Sequence, residues 1–153
     1  KYSAFEGGTR VPFVIRWPAR VKPGVSDALV CQVDLMASLA ALTGRELPAG
    51  AGPDSFNVLP ALLGESDAGR DHLVEHAGVL SLRRGSWKLI EPGKPRMNAA
   101  GVEPGVAPQP QLYNLAEDPG ETENLAAKRP EVLRELTALL RQLRTEGRSR
   151  PER

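Results

Sequence analysis

The sequence predicts an α/β chain, α+β within its own bounds: the end of a larger α/β domain, then a small four-stranded antiparallel sheet packed with a C-terminal helix. Three observations predict it. Val11 to Trp17 is an apolar run rich in the β-branched and aromatic residues that suit a buried strand. Four short apolar stretches between Leu73 and Leu115 are separated by turn residues at hairpin-like spacing. Leucines recur at helical spacing between Val132 and Leu143.

The elements follow in order. Gly7 and Gly8 allow a sharp bend before the first strand. Pro23 and Gly24 mark a turn within the connector over 19–30. Asp34 is the expected N-cap of a helix whose core face carries Leu35, Met36, Leu39 and Leu42, with Gly44 as its stop. One strand and one helix make too little core, so this part is expected to complete a larger sheet formed upstream. Pro48, Gly50, Gly52 and Pro53 then break the chain, which sets the expected domains at 1–52 and 53–147, with a disordered tail over 148–153.

Beyond the break, Val58 to Leu63 reads as a helical turn around Pro60. Leu73 to His76 reads as a strand, and Val79–Leu82 and Trp87–Ile90 flank a hairpin turn at Arg83-Arg84-Gly85-Ser86. Residues 91–110, with five prolines and three glycines, read as a long loop, mobile or draped across a neighbour. Gln111 to Leu115 is the fourth strand. Pro130 suits a first helical turn, Glu131 and the pair Arg141 and Arg144 match the helix dipole, and Gly147 ends the helix.

The totals narrow the function. Twenty basic residues against 19 acidic give a net charge of +1, which argues against a partner held by bulk charge, nucleic acid or membrane surface. A single cysteine, Cys31, excludes an internal disulfide framework and a multi-thiolate metal site, and fits cytoplasm or periplasm equally. No apolar run reaches the ~18 residues that a spanning helix needs. A chain that starts inside a motif reads as a fragment of a longer protein.

The motifs carry a resemblance. Lys1-x-Ser3-x-Phe5-Glu6-Gly7-Gly8-x-Arg10-Val11-Pro12, then Trp17-Pro18 and Val21-x-Pro23-Gly24, resembles the C-terminal signature of type I sulfatases. These are formylglycine-dependent sulfate ester hydrolases of the alkaline phosphatase superfamily. Asp34-Leu35, Arg83-x-Gly85-x-Trp87-Lys88-Leu89 and Leu112-Tyr113-Asn114-Leu115-x-x-Asp118-Pro119-Gly120-Glu121-x-x-Asn124-Leu125 follow in the family's order. The resemblance covers nearly the whole chain. It implies a parent enzyme that hydrolyses a small-molecule or carbohydrate sulfate ester with a formylglycine nucleophile and a calcium or magnesium ion, the cations stabilising charge that gathers in the transition state.

The resemblance also assigns residues. Lys1, five residues before Glu6, falls where the family's lysine contacts substrate sulfate. His76, in Val74-Glu75-His76, matches a stretch near the substrate pocket of some sulfatases, and histidine can donate to a sugar hydroxyl or sulfate. Cys31 lacks the residues that the formylglycine motif requires and reads as a small core residue. Glu6 and Arg10 are expected to pair with each other or to bond backbone within the turn. His72 and Trp87 read as structural, and Asp118 to Glu121 as turn chemistry. No metal ligand is assigned, so nucleophile and metal are expected upstream and the fragment alone is expected to be inactive. Two rivals are a phosphonate or phosphodiester hydrolase of the same superfamily and a non-catalytic interaction module.

Overall fold

The computed structural model describes residues 2–48, 50–95 and 101–151. The chain divides into two compact units, one formed by 1–12 with 74–142, the other by 13–73 with 143–153.

In the first unit, β1 (His72–His76, its first two residues assigned to the second unit), β2 (Leu80–Arg84), β3 (Trp87–Ile90) and β4 (Gln111–Asn114) form a sheet in simple sequence order. The hairpin turn between β2 and β3 is Gly85-Ser86, with Gly85 at φ +56°, a conformation that glycine adopts without steric cost. Antiparallel register aligns Leu82, Leu89 and Leu112 in one cross-strand row, each at most 2 % exposed. Arg84 shares that face and reaches Glu135 of α4 (Pro130–Glu146) at 2.9 Å, so the helix lies over this row with Leu136 and Leu140 buried. The opposite face carries Ile90 and Tyr113. Ala4 and Phe5 cover them, Phe5 meeting the Tyr113 ring edge-on at 5.8 Å between centroids. With both faces covered, the sheet buries polar residues that a two-layer unit would leave in water.

The loop after β3 is draped over this second face. Ala4 N–H donates to the Pro104 carbonyl at 2.8 Å, Gln111 Nε2 donates to the Gly105 carbonyl at 3.0 Å, and Val106 joins the cluster. Residues 96–100 lie outside the described residues.

The second unit holds a 3₁₀ turn (Gln32–Asp34), α2 (Leu35–Leu42) and α3 (Leu59–Leu62), with Pro60 in the first turn of α3. Within the described residues Val11 to Trp17 pairs with no strand and is exposed along its length, Val14 at 86 %. A strand exists only with a hydrogen-bonded neighbour, and the larger sheet that this run is expected to complete is not among these residues. One expectation fails here. On α2, Met36 and Leu39 are half exposed while Ala37 and Ser38 are buried. The helix is apolar around most of its circumference, so its small residues decide the contact face. Ser55 Oγ accepts from Ala37 N–H and Ser38 Oγ accepts from Val58 N–H, which requires close backbone approach. Near the C-terminus, Ser149 N–H donates to Asp54 and Arg150 N–H to the Pro53 carbonyl, so the described residues of the expected tail fold back on the 51–54 loop.

Candidate functional site

The bend at Gly7 and Gly8 is one turn of helix, α1 (Glu6–Thr9), and neither glycine has a positive φ. Gly8 is needed for another reason. A Cβ there would sit 2.2 Å from the Ser3 carbonyl oxygen, so the backbone of Ser3 presses directly on this turn. Thr9 Oγ1 and the Gly8 and Thr9 N–H groups all return to the Phe5 carbonyl.

Glu6 leads into a buried cluster of charge. The Lys88 side chain, on β3, is wholly buried, with its Nζ 2.9 Å from Glu6 Oε1, 3.4 Å from Glu121 Oε1 and 3.8 Å from Glu75 Oε2. Arg83 Nη1 lies 3.3 Å from the other Glu6 oxygen. Glu121 also accepts the Glu6 N–H through Oε2 at 2.5 Å. Glu6 thus pairs with Lys88 and Arg83 rather than with Arg10, whose N–H simply closes the helical turn on the Glu6 carbonyl. Burial pushes the carboxyl of Glu75 above its usual range. Lys88 opposes that shift, and Glu6 adds to it. Burial does the same to Glu121, against the Glu6 N–H and Lys88. Tyr113, buried near Glu121, Asp118 and Glu103, is pushed up to about 12 and donates its hydroxyl to Gln111 at 2.8 Å.

Three carboxylates in one place suggest a cation site, yet Lys88 Nζ fills the space between them. Among the described residues no group of histidine, cysteine, aspartate and glutamate has the arrangement to hold a metal ion, and the Lys88 cluster does not fit one. The other buried acid, Asp34, is also spoken for. It accepts from Cys31 N–H and Phe56 N–H and pairs with Arg70 at 2.9 Å, so it serves the turn before α2 and makes no cap bond to α2 itself. Arg70 in turn donates to the His72 carbonyl and lies over the Phe56 ring.

Of the residues assigned from the sequence, His76 ends β1 with its side chain exposed, and Lys1 lies outside the described residues. His72 is buried edge-on to Phe56, Trp87 is half-buried on the helix-facing side of the sheet, and Cys31 is half-buried before the 3₁₀ turn. The Lys88 cluster was not anticipated. Its one signal is a lysine inside the apolar stretch Trp87 to Ile90.

The sheet with its C-terminal helix, and the glycine turn clamped on it, define the chain as the C-terminal part of a sulfatase fold. A solved Bacteroides thetaiotaomicron structure from work on glycosaminoglycan metabolism superposes on it with a TM-score of 0.90 at 46 % identity, over 95 % of this chain and 31 % of that one. A second solved structure, holding its substrate D-glucosamine-2-N,6-O-disulfate, shares the fold at TM-score 0.59 and 20 % identity, over 86 % of this chain and 27 % of that one. In sequence, the chain is 46 % identical over 149 residues to the N-acetylgalactosamine-6-O-sulfatase of B. thetaiotaomicron, which covers 95 % of this chain and 29 % of that protein. It is 35 % identical over 160 residues to human arylsulfatase A, which covers 91 % of this chain and 31 % of that protein. No family model matches the chain. Along nearly its whole length the chain is similar to the C-terminal part of sulfatases, and it spans about three-tenths of the length of the curated relatives it matches.

Proposed function

We propose that this chain is the C-terminal portion of a sulfatase acting on a carbohydrate sulfate ester, an amino sugar bearing a 6-O-sulfate being the first candidate. One observation carries the reading: 46 % identity to an N-acetylgalactosamine-6-O-sulfatase along 95 % of the chain. Lys1 supplies a cation to the sulfate, and His76 contributes a donor to the sugar or sulfate. The formylglycine nucleophile and the calcium or magnesium ion belong to the remaining sequence of such an enzyme. The residues described here fit neither. On this reading residues 1–52 close the catalytic domain and 53–147 form the C-terminal subdomain.

Preorganised positive charge supports sulfate transfer because negative charge gathers on the sulfate oxygens as the ester bond breaks. Removing one such charge-stabilising donor costs on the order of a hundredfold to a thousandfold in turnover. In the full-length polypeptide, Lys1→Ala is therefore expected to lower kcat/KM for N-acetylgalactosamine 6-sulfate by about that factor, and His76→Ala by less. Metal-dependent sulfate release by the 153-residue chain alone would overturn the assignment of nucleophile and metal to other sequence.

A further inference from the structure

The turn Glu6–Thr9 buries none of its own residues, yet costly features converge on it. A fully buried ammonium contacts Glu6, and two further carboxylates share that ammonium. Glu121 accepts the Glu6 N–H through its carboxylate, and does so from a backbone held at φ +54°, a conformation strained for any residue with a Cβ. Gly120 stands immediately before it, so a residue without that strain was one position away. The loop around it is itself locked, Asp118 accepting from Thr122 N–H at 2.7 Å and Glu123 N–H at 2.9 Å. Ser3 pressed on Gly8 and Ala4 N–H bound to Pro104 fasten the same segment from its other side. Such outlay secures a short turn to a fixed place rather than a hydrophobic core.

We propose that Glu121 and Lys88 are positioning residues: through Glu6 they hold the backbone of residues 3–9, the segment that follows Lys1 in the sequence. The proposal rests on the sulfate-binding reading of Lys1. Lys88 supplies the charge that keeps the Glu6 carboxylate in place, and Glu121 fixes the first N–H of the turn.

The test is a mutant cycle in the full-length polypeptide, with N-acetylgalactosamine 6-sulfate as substrate. Glu121→Gly relieves the backbone strain but removes the clamp, so the protein keeps its melting temperature while kcat/KM falls on the order of tenfold to a hundredfold. Glu121→Gln, which keeps an acceptor for Glu6 N–H, retains most of the activity. In a Lys1→Ala background the same Glu121→Gly change lowers kcat/KM less than about twofold, because the group it positions is gone. An equal loss in both backgrounds overturns the positioning role and leaves the Lys1 reading intact. Unchanged activity in Lys1→Ala overturns the Lys1 reading itself. Where Glu121→Gly does not fold, Glu121→Asp, shortened by one methylene, is put through the same cycle and read by the same criteria.

Discussion

Each unit buries a group of charges, and the two groups are built on opposite plans. In the second unit Asp34 and Arg70 form a matched pair, each side chain 1 % exposed, with both carboxylate oxygens also taken by backbone N–H groups. In the first unit one fully buried ammonium serves three carboxylates, with Arg83 as a second cation at the rim. The matched pair works as a clip: it ties the turn before α2 to Phe56 and to the strand that begins at His72. The acid-rich cluster is in excess of its counter-charge, and burial drives two of its members towards the protonated form. A buried pair closes a structure, whereas a crowded cluster makes one segment's position depend on charge balance.

The largest effect that would break this comparison is removal of Lys88. Lys88→Met leaves three acids facing one another in the dry interior, with a loss of stability expected at the upper end of about 3–5 kcal/mol. Urea denaturation of the chain reads it, and a loss below about 1 kcal/mol would show that the cluster is not organised by its ammonium. Asp34→Ala comes next, at about 3–4 kcal/mol, because it strands a buried guanidinium together with two N–H donors. Arg70→Met is milder, about 2–3 kcal/mol, since the Asp34 carboxylate keeps its two backbone donors. That order, Asp34 above Arg70, sharpens the comparison. The reverse order would mean that Arg70 acts mainly through Phe56 and the His72 carbonyl.

The sequence shows why one group was foreseeable in outline and the other was not. Asp34 before an apolar helix announces a carboxylate that binds backbone N–H groups, and it does bind them, though at Cys31 and Phe56 rather than within α2. Its partner Arg70 is 36 residues away, a separation on which local pattern is silent. Lys88 sits in a strand whose alternation points it away from the helix-facing row, and a lysine there ordinarily meets water. It is buried because Ala4, Phe5 and the loop around Pro104 cover the second face, a tertiary fact absent from any window of residues. The four strands, the turn at Pro60 and α4 were legible because period and turn chemistry are local. The contact face of α2 was not, since a helix apolar all round has no preferred side.

The smallest effect separates the two plans by pH. Glu75 ionises less readily in the fold than the ordinary carboxyl value of 4.5, burial being the leading cause, and Glu121 shifts the same way. A group with a raised folded value contributes stability that is fully present below its unfolded value and is lost as pH rises through the folded one. Wild-type stability therefore carries a charge penalty from Glu75 that is absent in mild acid and grows as pH rises above the ordinary value of 4.5. Glu75→Gln removes the ionisation and keeps the shape and an acceptor for Ser81, 3.4 Å from Glu75 Oε2. Measured against wild type, this variant gains stability as pH climbs from about 4.5 to 7. A difference that is flat across that window, or that turns against the variant as pH rises, would mean that Lys88 fully satisfies Glu75, and the excess-acid account of the first unit would fail. Asp118, held below its ordinary 3.8 chiefly by the Glu123 N–H, titrates below this window and shifts in the opposite direction, so it does not imitate the result.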